Sequence, residues 1–521
     1  MESCAPGERS YAENLSKHIV RWLHEGGVAA DLADDRALEQ VLAGRRFAYL
    51  VMCQKPHASQ LGAIKRFLSR GGRICSFYST SPELAAMAGV RLGTYRKAGP
   101  GGFEKMLFTA RGPAGSPAEI AQSSTAIFSA RPIPKRSSVL AEWTDSAGRR
   151  TGEPAILSTT TGWWITHVFL AEGDETAKMR FLLSMAGAMI PGSWNANAWL
   201  AHENARRAQI TAYARRQRPR PGEIHAVWDH SGQGLYPGDW PRTMRLLAAN
   251  GITDLFVNVA GAGFAHYPTQ CLPASSVCRT RGDQLAQCIA AAKGTGVRVH
   301  AWIICFNATR SAGGQLAVFT KNGWRIRDRK GRLTEYLDPS KAALREHLLR
   351  AMDDIVRRYP VKGVHLDFVR WYEGADKPAN AAATITGFVA AANRRVKAVR
   401  PGTWLTAAVL PTYPSCAASV GQDWEKWISS GIIDYIAPMN YVEDNTKYSA
   451  LIARQGRTPA QARKVISGLG VTANESRLGA VKVIDQINIA RRAGLAGVAF
   501  FDLDYTLANE ILPFLRLGML R

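Results

Sequence analysis

The sequence predicts an α/β protein in two parts, an amino-terminal α/β domain followed by a carboxyl-terminal (β/α)8 barrel. Three observations carry this reading. From Glu223 onward eight short strand-like runs alternate with helical patterns, and eight such units in about 300 residues is the usual size of the barrel. Ahead of them, a shorter strand–helix–strand alternation implies a separate parallel sheet with helical crossovers. Between the two lies Arg215-Arg-Gln-Arg-Pro-Arg-Pro-Gly222, the clearest change of composition in the chain. The expected limits are therefore 1–195 for an accessory domain, 196–222 for a helical and then Arg/Pro-rich linker, and 223–521 for the barrel.

In chain order, residues 8–25 show a helical rhythm of Leu15, Ile19, Trp22 and Leu23, stopped by Gly26-Gly27. A strand at 47–52, a helix at 61–68 and a strand at 73–78 come next, the last two separated by Gly71-Gly72. A strand pair at 155–158 and 162–169 and a closing helix at 175–189 complete the part. It resembles the class I glutamine-amidotransferase-like domain, a flavodoxin-type sheet whose active members carry a nucleophilic Cys at a strand-to-helix elbow. Here that turn reads Ser79-Thr80-Ser81-Pro82, with Cys75 inside the preceding strand and no evident His–Glu partner. The resemblance therefore implies a non-catalytic accessory domain.

In the second part the strand-like runs are 224–229, 254–259, 297–303, 363–369, 404–409, 435–440, 464–469 and 498–503. Helical patterns at 240–250, 283–293, 344–359, 385–399, 424–430 and 481–493 lie between them. Several end in Gly (Gly251, Gly296, Gly431, Gly494), where a left-handed cap is wanted.

With 66 Lys and Arg against 42 Asp and Glu, the formal charge is +24. Such a field favours an anionic partner. The main basic clusters, 206–220 and 325–332, read as a linker and a loop. No zinc-finger, helix-turn-helix or aromatic RNP pattern accompanies them, so nucleic acid is not the expected partner. No apolar run approaches a membrane span. The chain opens in a loop ahead of a helix with no charged-then-apolar leader, which fits a removed leader and a trimmed first strand. None of the eight cysteines forms a CxxC pair, which argues against structural zinc, and no ligand cluster has metal spacing; no cofactor is expected. Cys53 and Cys75 read as core residues, and Cys271 and Cys278 as the disulfide expected of an exported protein.

In this fold the active site gathers at the carboxyl ends of the strands. Those ends supply Trp228 and Asp229, Asn258, Trp302 and Asn307, then Asp367, Arg370 and Trp371, then Tyr413, Asn440, Tyr441 and Glu443, and finally Asp502 and Asp504. Carboxylates, amides and aromatics on one rim suit a carbohydrate, because aromatic faces stack on sugar rings while acids and amides hold hydroxyls. No glycine-rich phosphate cradle competes. Asp367 is the centre of this reading: a buried strand has no use for an acid unless it is paired, with Arg370 or a His, or works at the rim. Glycoside cleavage uses two carboxyl groups. The partner of Asp367 is Glu443, Asp502 or Asp504, each of which also has the reading of a loop acid or helix cap. His365 reads as a satisfied interior histidine, and Trp228 and Trp302 fit barrel packing as well as sugar stacking.

The segments Glu223-Ile-His-Ala-Val-Trp228, His300-Ala-Trp302, Gly363-Val-His-Leu-Asp-Phe-Val-Arg370, Trp324 to Pro339 and Ile433-Asp-Tyr-Ile-Ala-Pro-Met-Asn-Tyr441 together resemble the glycosyl-hydrolase-like 10 family over about 223–515, in its motif order. The resemblance implies a secreted or periplasmic bacterial barrel acting on a polysaccharide, anionic or containing amino sugars; oligomeric state stays open. Phe368 stands where many members carry a second acid, which leaves the carboxyl pair to be completed from another strand. The Met-Asn-Tyr motif is also similar to that of chitinase-type barrels, which would put Tyr441 against an amino sugar. The alternative is a catalytically inactive glycan- or envelope-binding barrel.

Overall fold

The computed structural model describes residues 2–99, 102–170 and 173–520. They form two compact units, one ending at Ala208 and the other beginning at Gln209. The division falls inside the helix Ala196–Arg215, and the Arg/Pro-rich stretch follows the end of that helix.

The amino-terminal unit is built on a seven-stranded mixed sheet. Phe47–Val51, Arg73–Phe77 and Gly162–Ile165 run parallel. The helix Ala58–Ser69 crosses between the first two, as the alternation predicts. Beyond them Arg150–Thr159, Ser137–Thr144, Phe103–Phe108 and Glu119–Ser124 add on antiparallel. The sheet is thus less purely parallel than the sequence reading implies. The reason is local: 137–159 turns back through Asp145-Ser-Ala-Gly148, with Gly148 at φ 77° and Asp145 accepting from the Ala147 and Arg149 amides, and a two-stranded return leaves no room for a crossover helix. The strand–helix elbow expected at 79–82 is present. Its left-handed residue is Tyr78 (φ 48°), Ser81 caps the helix Pro82–Ala88 through the Leu84 amide at 3.1 Å, and Cys75 is wholly buried, its thiol pushed well up by burial. His167 lies beside the elbow, its ring 5.6 Å from that of Tyr78.

The carboxyl-terminal unit is a barrel of eight parallel strands: Ile224–Asp229, Asp254–Gly261, Arg298–Ile304, Gly363–Asp367, Trp404–Val409, Tyr435–Pro438, Ile466–Gly470 and Gly497–Phe501. Each pairs with its neighbour in sequence, and the last returns to the first. The sixth and seventh meet through bridges at Ile436–Val465 and Met439–Gly468, which close the ring. Ile224, Ala226, Trp228, Phe256, Trp302, Ala437, Ile466 and Ala499 point inward and fill the interior. The opposite set packs on the surrounding helices. All four expected glycine caps have positive φ; at Gly251 a Cβ would stand 1.7 Å from the Leu520 carbonyl, so only glycine fits.

Two features depart from the sequence reading. The basic stretch 325–332 is not a loop but part of a hairpin, Arg325–Arg327 with Leu333–Leu337, turned at Gly331 (φ 76°) with Asp328 accepting from Lys330 and Arg332 amides. Cys271 and Cys278 are free thiols, the first 3.8 Å from the Arg350 carbonyl and the second within the helix Ser276–Arg281. Among the described residues no helix is long and apolar enough to cross a membrane, and no His, Cys, Asp and Glu group is placed to hold a metal ion.

Candidate active site

The barrel mouth rests on an aromatic floor. Trp228 Nε1–H donates to His365 Nε2 at 2.9 Å, which leaves the proton on Nδ1, facing Thr406 Oγ1 at 2.8 Å. The imidazole stacks on Phe256 (4.1 Å, 10°), and burial, then His300, holds its pKa well below the ordinary value. Both nitrogens are engaged, so His365 is a neutral interior residue and Trp228 its packing partner. Neither has a polar group left for a ligand.

Asp367 ends the fourth strand and is 6 % exposed. One oxygen accepts from the Phe368 amide at 2.6 Å. Phe368 itself sits at φ 47°, a left-handed conformation that costs a bulky residue of order 1–3 kcal/mol. That turn directs the Phe368 N–H back at the carboxylate. Arg370, the partner a purely structural acid would use, lies instead with its guanidinium over the Phe368 ring (4.3 Å) and 3.8 Å from Glu373. Among the described residues no ion pair joins it to Asp367. Burial therefore wins and raises the Asp367 pKa. The Arg370 charge, the Phe368 N–H and the Trp302 indole oppose it, although Trp302 Nε1–H makes no hydrogen bond.

Asp502 follows the eighth strand, after a cis Phe501–Asp502 peptide. Burial, reinforced by the negative charges of Asp504 and Asp229, pushes its pKa up to about 7. Among the described residues its side-chain partner is Thr472, 3.2 Å away. Tyr441 follows the sixth strand and packs on the residue before Asp502. Its ring stacks on Phe501 (5.3 Å, 28°), and its phenol is kept protonated by burial and by the fields of Asp367 and Asp502.

The other candidates divide according to whether their polar atoms are already engaged. Asp229 is fully buried and accepts from the Ser231, Gly232 and Gly234 amides and the Ser231 hydroxyl, which fixes the loop after the first strand. Asn440 is locked to Gln455 and Ser467 by bonds of 3.0, 2.7 and 2.9 Å. Asn307 caps Thr309, and Tyr413 donates to Asp423 at 3.2 Å. Asp504 caps the turn into Leu507–Ile511 through the Leu507 amide. Glu443 is exposed and holds the Arg477 amide at 2.8 Å. Each of these side chains has at least one of its polar atoms bonded within the protein. The opposite group keeps buried polar atoms without partners: Asn258 at both ends of its amide, Trp302 Nε1, Arg370 Nη1 and Trp371 Nε1. A buried polar atom left alone costs about 1–3 kcal/mol, so these atoms are the rim's unused hydrogen-bonding capacity.

Sequence reasoning passed over three aromatic groups. Tyr336 and Tyr372 stack on each other at 4.1 Å beside Phe368, and exposed His230 stands 5.8 Å from Trp302 and 6.0 Å from Phe501. The signal for the first pair was present, since Tyr336 lies in a quoted motif and Tyr372 follows Trp371. The hairpin that brings them together was not foreseen.

No family model and no curated protein matches the chain, so neither family resemblance drawn from the sequence gains support there. Among solved structures, its barrel is similar to the glycoside hydrolase domain of PgaB (BpsB) from Bordetella bronchiseptica, at 14% identity over 57% of this chain and 99% of that one, TM-score 0.46. It is also similar to a GH18 chitinase from Cycas revoluta (14%, 56% and 98%, TM-score 0.38) and an endo-1,4-beta-mannanase from Rhizomucor miehei (10%, 54% and 86%, TM-score 0.39). These structural neighbours are all glycoside hydrolases. Likenesses this distant carry no argument about chemistry, which rests on the geometry above.

Proposed function

We propose that the barrel is a glycoside hydrolase acting on a polysaccharide, with Asp502 and Asp367 as its carboxyl pair. One observation carries this: Asp367 and Asp502 stand at the carboxyl ends of the fourth and eighth strands, without an ion pair to either among the described residues, and burial raises the pKa of both. Two-carboxylate glycoside cleavage needs one protonated and one ionised group. Asp502, titrating at about 7, supplies the proton to the leaving oxygen. Asp367, with Arg370 and a backbone N–H favouring its charged form, acts as base or nucleophile. Tyr441 presents a hydroxyl that never ionises near neutrality, and the Tyr336–Tyr372 stack offers a sugar platform. The +24 charge favours an anionic polymer, and the amino-terminal unit serves as a non-catalytic accessory of an exported protein.

The test is a reducing-end and mass-spectrometric screen over bacterial polysaccharides, wild type beside Asp367→Asn. New ends from the wild type alone, with turnover in the variant down by about 10³-fold or more and Tm unchanged, are expected. Polysaccharide retained by both proteins without new ends would make the barrel a glycan-binding one.

A further inference from the structure

The mouth of the barrel carries a positive charge that no acid around it pairs with. Arg310 lies in the turn after the third strand, and that turn is anchored on both sides. Asn307 Oδ1 accepts from the Thr309 amide and hydroxyl at 2.8 and 2.7 Å. The Ala308 amide donates to the Glu335 carbonyl at 2.8 Å, and the Ala312 amide to the Gly263 carbonyl at 2.9 Å. The backbone thus fixes where Arg310 starts, and its side chain is half-buried. One arm, Nη1, donates to the His230 carbonyl at 2.7 Å, and the guanidinium stands 5.7 Å from the Phe264 ring. Among the described residues the rest of its fork makes no hydrogen bond and no carboxylate forms an ion pair with it.

The surroundings place this cation near the two acids and leave its charge unanswered. His230 follows the first strand, and its ring stands 5.8 Å from Trp302 and 6.0 Å from Phe501. Trp302 lies two residues before Ile304, the register partner of Asp367, and Phe501 directly precedes Asp502. The acid whose field reaches Arg310 is Asp229. Its oxygens are already taken by the Ser231, Gly232 and Gly234 amides and the Ser231 hydroxyl. His230 adds no second charge, since burial, then Arg310, holds its pKa at about 4. Arg370 is in a different position: its guanidinium covers the Phe368 ring and stands 3.8 Å from Glu373. A cation drawn out of water without a counter-charge costs stability, and a ligand that brings the counter-charge recovers it.

We propose that Arg310 selects the substrate of this barrel by pairing its free fork with a negatively charged group, carboxylate or phosphate, on a sugar bound at the mouth. The inference rests on the glycoside hydrolase reading and narrows its substrate to an acidic polysaccharide. A planar guanidinium offers parallel N–H donors to two oxygens of one anion, a match that a lone neutral hydroxyl does not return. The overall charge of +24 draws an acidic polymer towards the whole surface. Arg310 differs from that diffuse field in being held in place, unpaired and close to the acids. Its part is binding and specificity, and no proton passes through it.

The test measures binding and the release of new reducing ends separately, at matched ionic strength, for wild type, Arg310→Ala, Arg310→Lys and Lys482→Ala. Lys482 is exposed on the helix Ala480–Arg492, so its loss removes one positive charge away from the mouth. The probes are hyaluronan and polygalacturonate oligosaccharides with their carboxyl-reduced neutral forms, and phosphomannan oligosaccharides with their dephosphorylated forms. Wild type is expected to bind at least one acidic probe roughly 10- to 100-fold more tightly than its neutral counterpart; which pair shows the preference tells carboxylate from phosphate. Arg310→Ala should lose that preference and Lys482→Ala keep it, both with unchanged Tm. Arg310→Lys keeps the charge without the fork and should retain only part of the preference, which decides the matter if the Ala variant folds poorly. No preference in wild type, or an undiminished one in the Arg310 variants, would overturn the proposal. So would an equal loss in Lys482→Ala, since the overall field would then be the whole cause. An Arg310-dependent preference without new reducing ends would uphold the anion site and overturn the hydrolase reading. New reducing ends from an acidic probe at the same kcat/KM in Arg310→Ala would do the reverse.

Discussion

Each unit of this protein ends a buried parallel strand on a bulky residue in the left-handed conformation, Tyr78 at φ 48° in one and Phe368 at φ 47° in the other. The backbone devices are alike, and the surroundings are not. After Tyr78 the polar side chains are engaged locally: Ser79 Oγ donates to the Cys53 carbonyl at 2.5 Å and Ser81 caps a helix, while Cys75 ahead of it is sealed in the core. Beside Phe368 stands a buried acid whose pKa burial raises and which makes no ion pair among the described residues. Strain thus marks where a site can be built, and unengaged ionisable groups decide whether one was. Tyr78 does have His167 near it, but the burial that keeps its phenol protonated makes it a poor nucleophile.

The largest effects that would break this contrast lie at Asp502. Asp502→Asn cannot deliver a proton and should lower kcat by on the order of 10²–10⁴-fold, with the alkaline limb near pH 7 disappearing from the pH–rate profile. The same change has a stability signature. In the fold Asp502 keeps its proton up to about pH 7, against 3.8 ordinarily. The folded state therefore binds more protons between those values, and wild-type stability falls as pH rises from about 4 to about 7. The Asn variant loses that fall and should unfold at a higher temperature than wild type at pH 8. Unchanged turnover with an unchanged alkaline limb would remove Asp502 from the chemistry. A smaller effect of a different kind belongs to Asn440. Asn440→Ala strands buried Gln455 and Ser467 groups and should cost about 1–3 kcal/mol in thermal unfolding, with KM for the substrate unmoved. A raised KM at constant Tm would return Asn440 to the substrate.

The contrast between Asn440 and Asp367 also shows how far the sequence can be read. The barrel was legible because its information is local: inward residues alternate along each strand, and a glycine follows several helices. The burial of Asp367 was legible for the same reason, an acid standing in an apolar strand. The surroundings of the other acids were not. Glu443 and Asp502 look alike as letters, and only the fold shows one exposed on the Arg477 amide and the other half-buried against Thr472. Asn440 reads as a rim amide because its partners lie 15 and 27 residues away. In the first part, the strands 103–108, 119–124 and 137–144 carried too little alternation to stand out, so the antiparallel half of the sheet went unread.

The smallest effect tests the quieter of the two strand ends. Ser81 caps Pro82–Ala88 through a single 3.1 Å bond, and a lost cap is worth about 1 kcal/mol. Ser81→Ala should therefore lower the unfolding temperature of the amino-terminal unit and leave kcat and KM on polysaccharide where they were. The elbow would then be a structural turn whose side chains only hold the sheet. A fall in kcat without a fall in Tm would instead place the Tyr78 elbow in the reaction and dissolve the contrast between the two units, since both left-handed strand ends would then serve the chemistry.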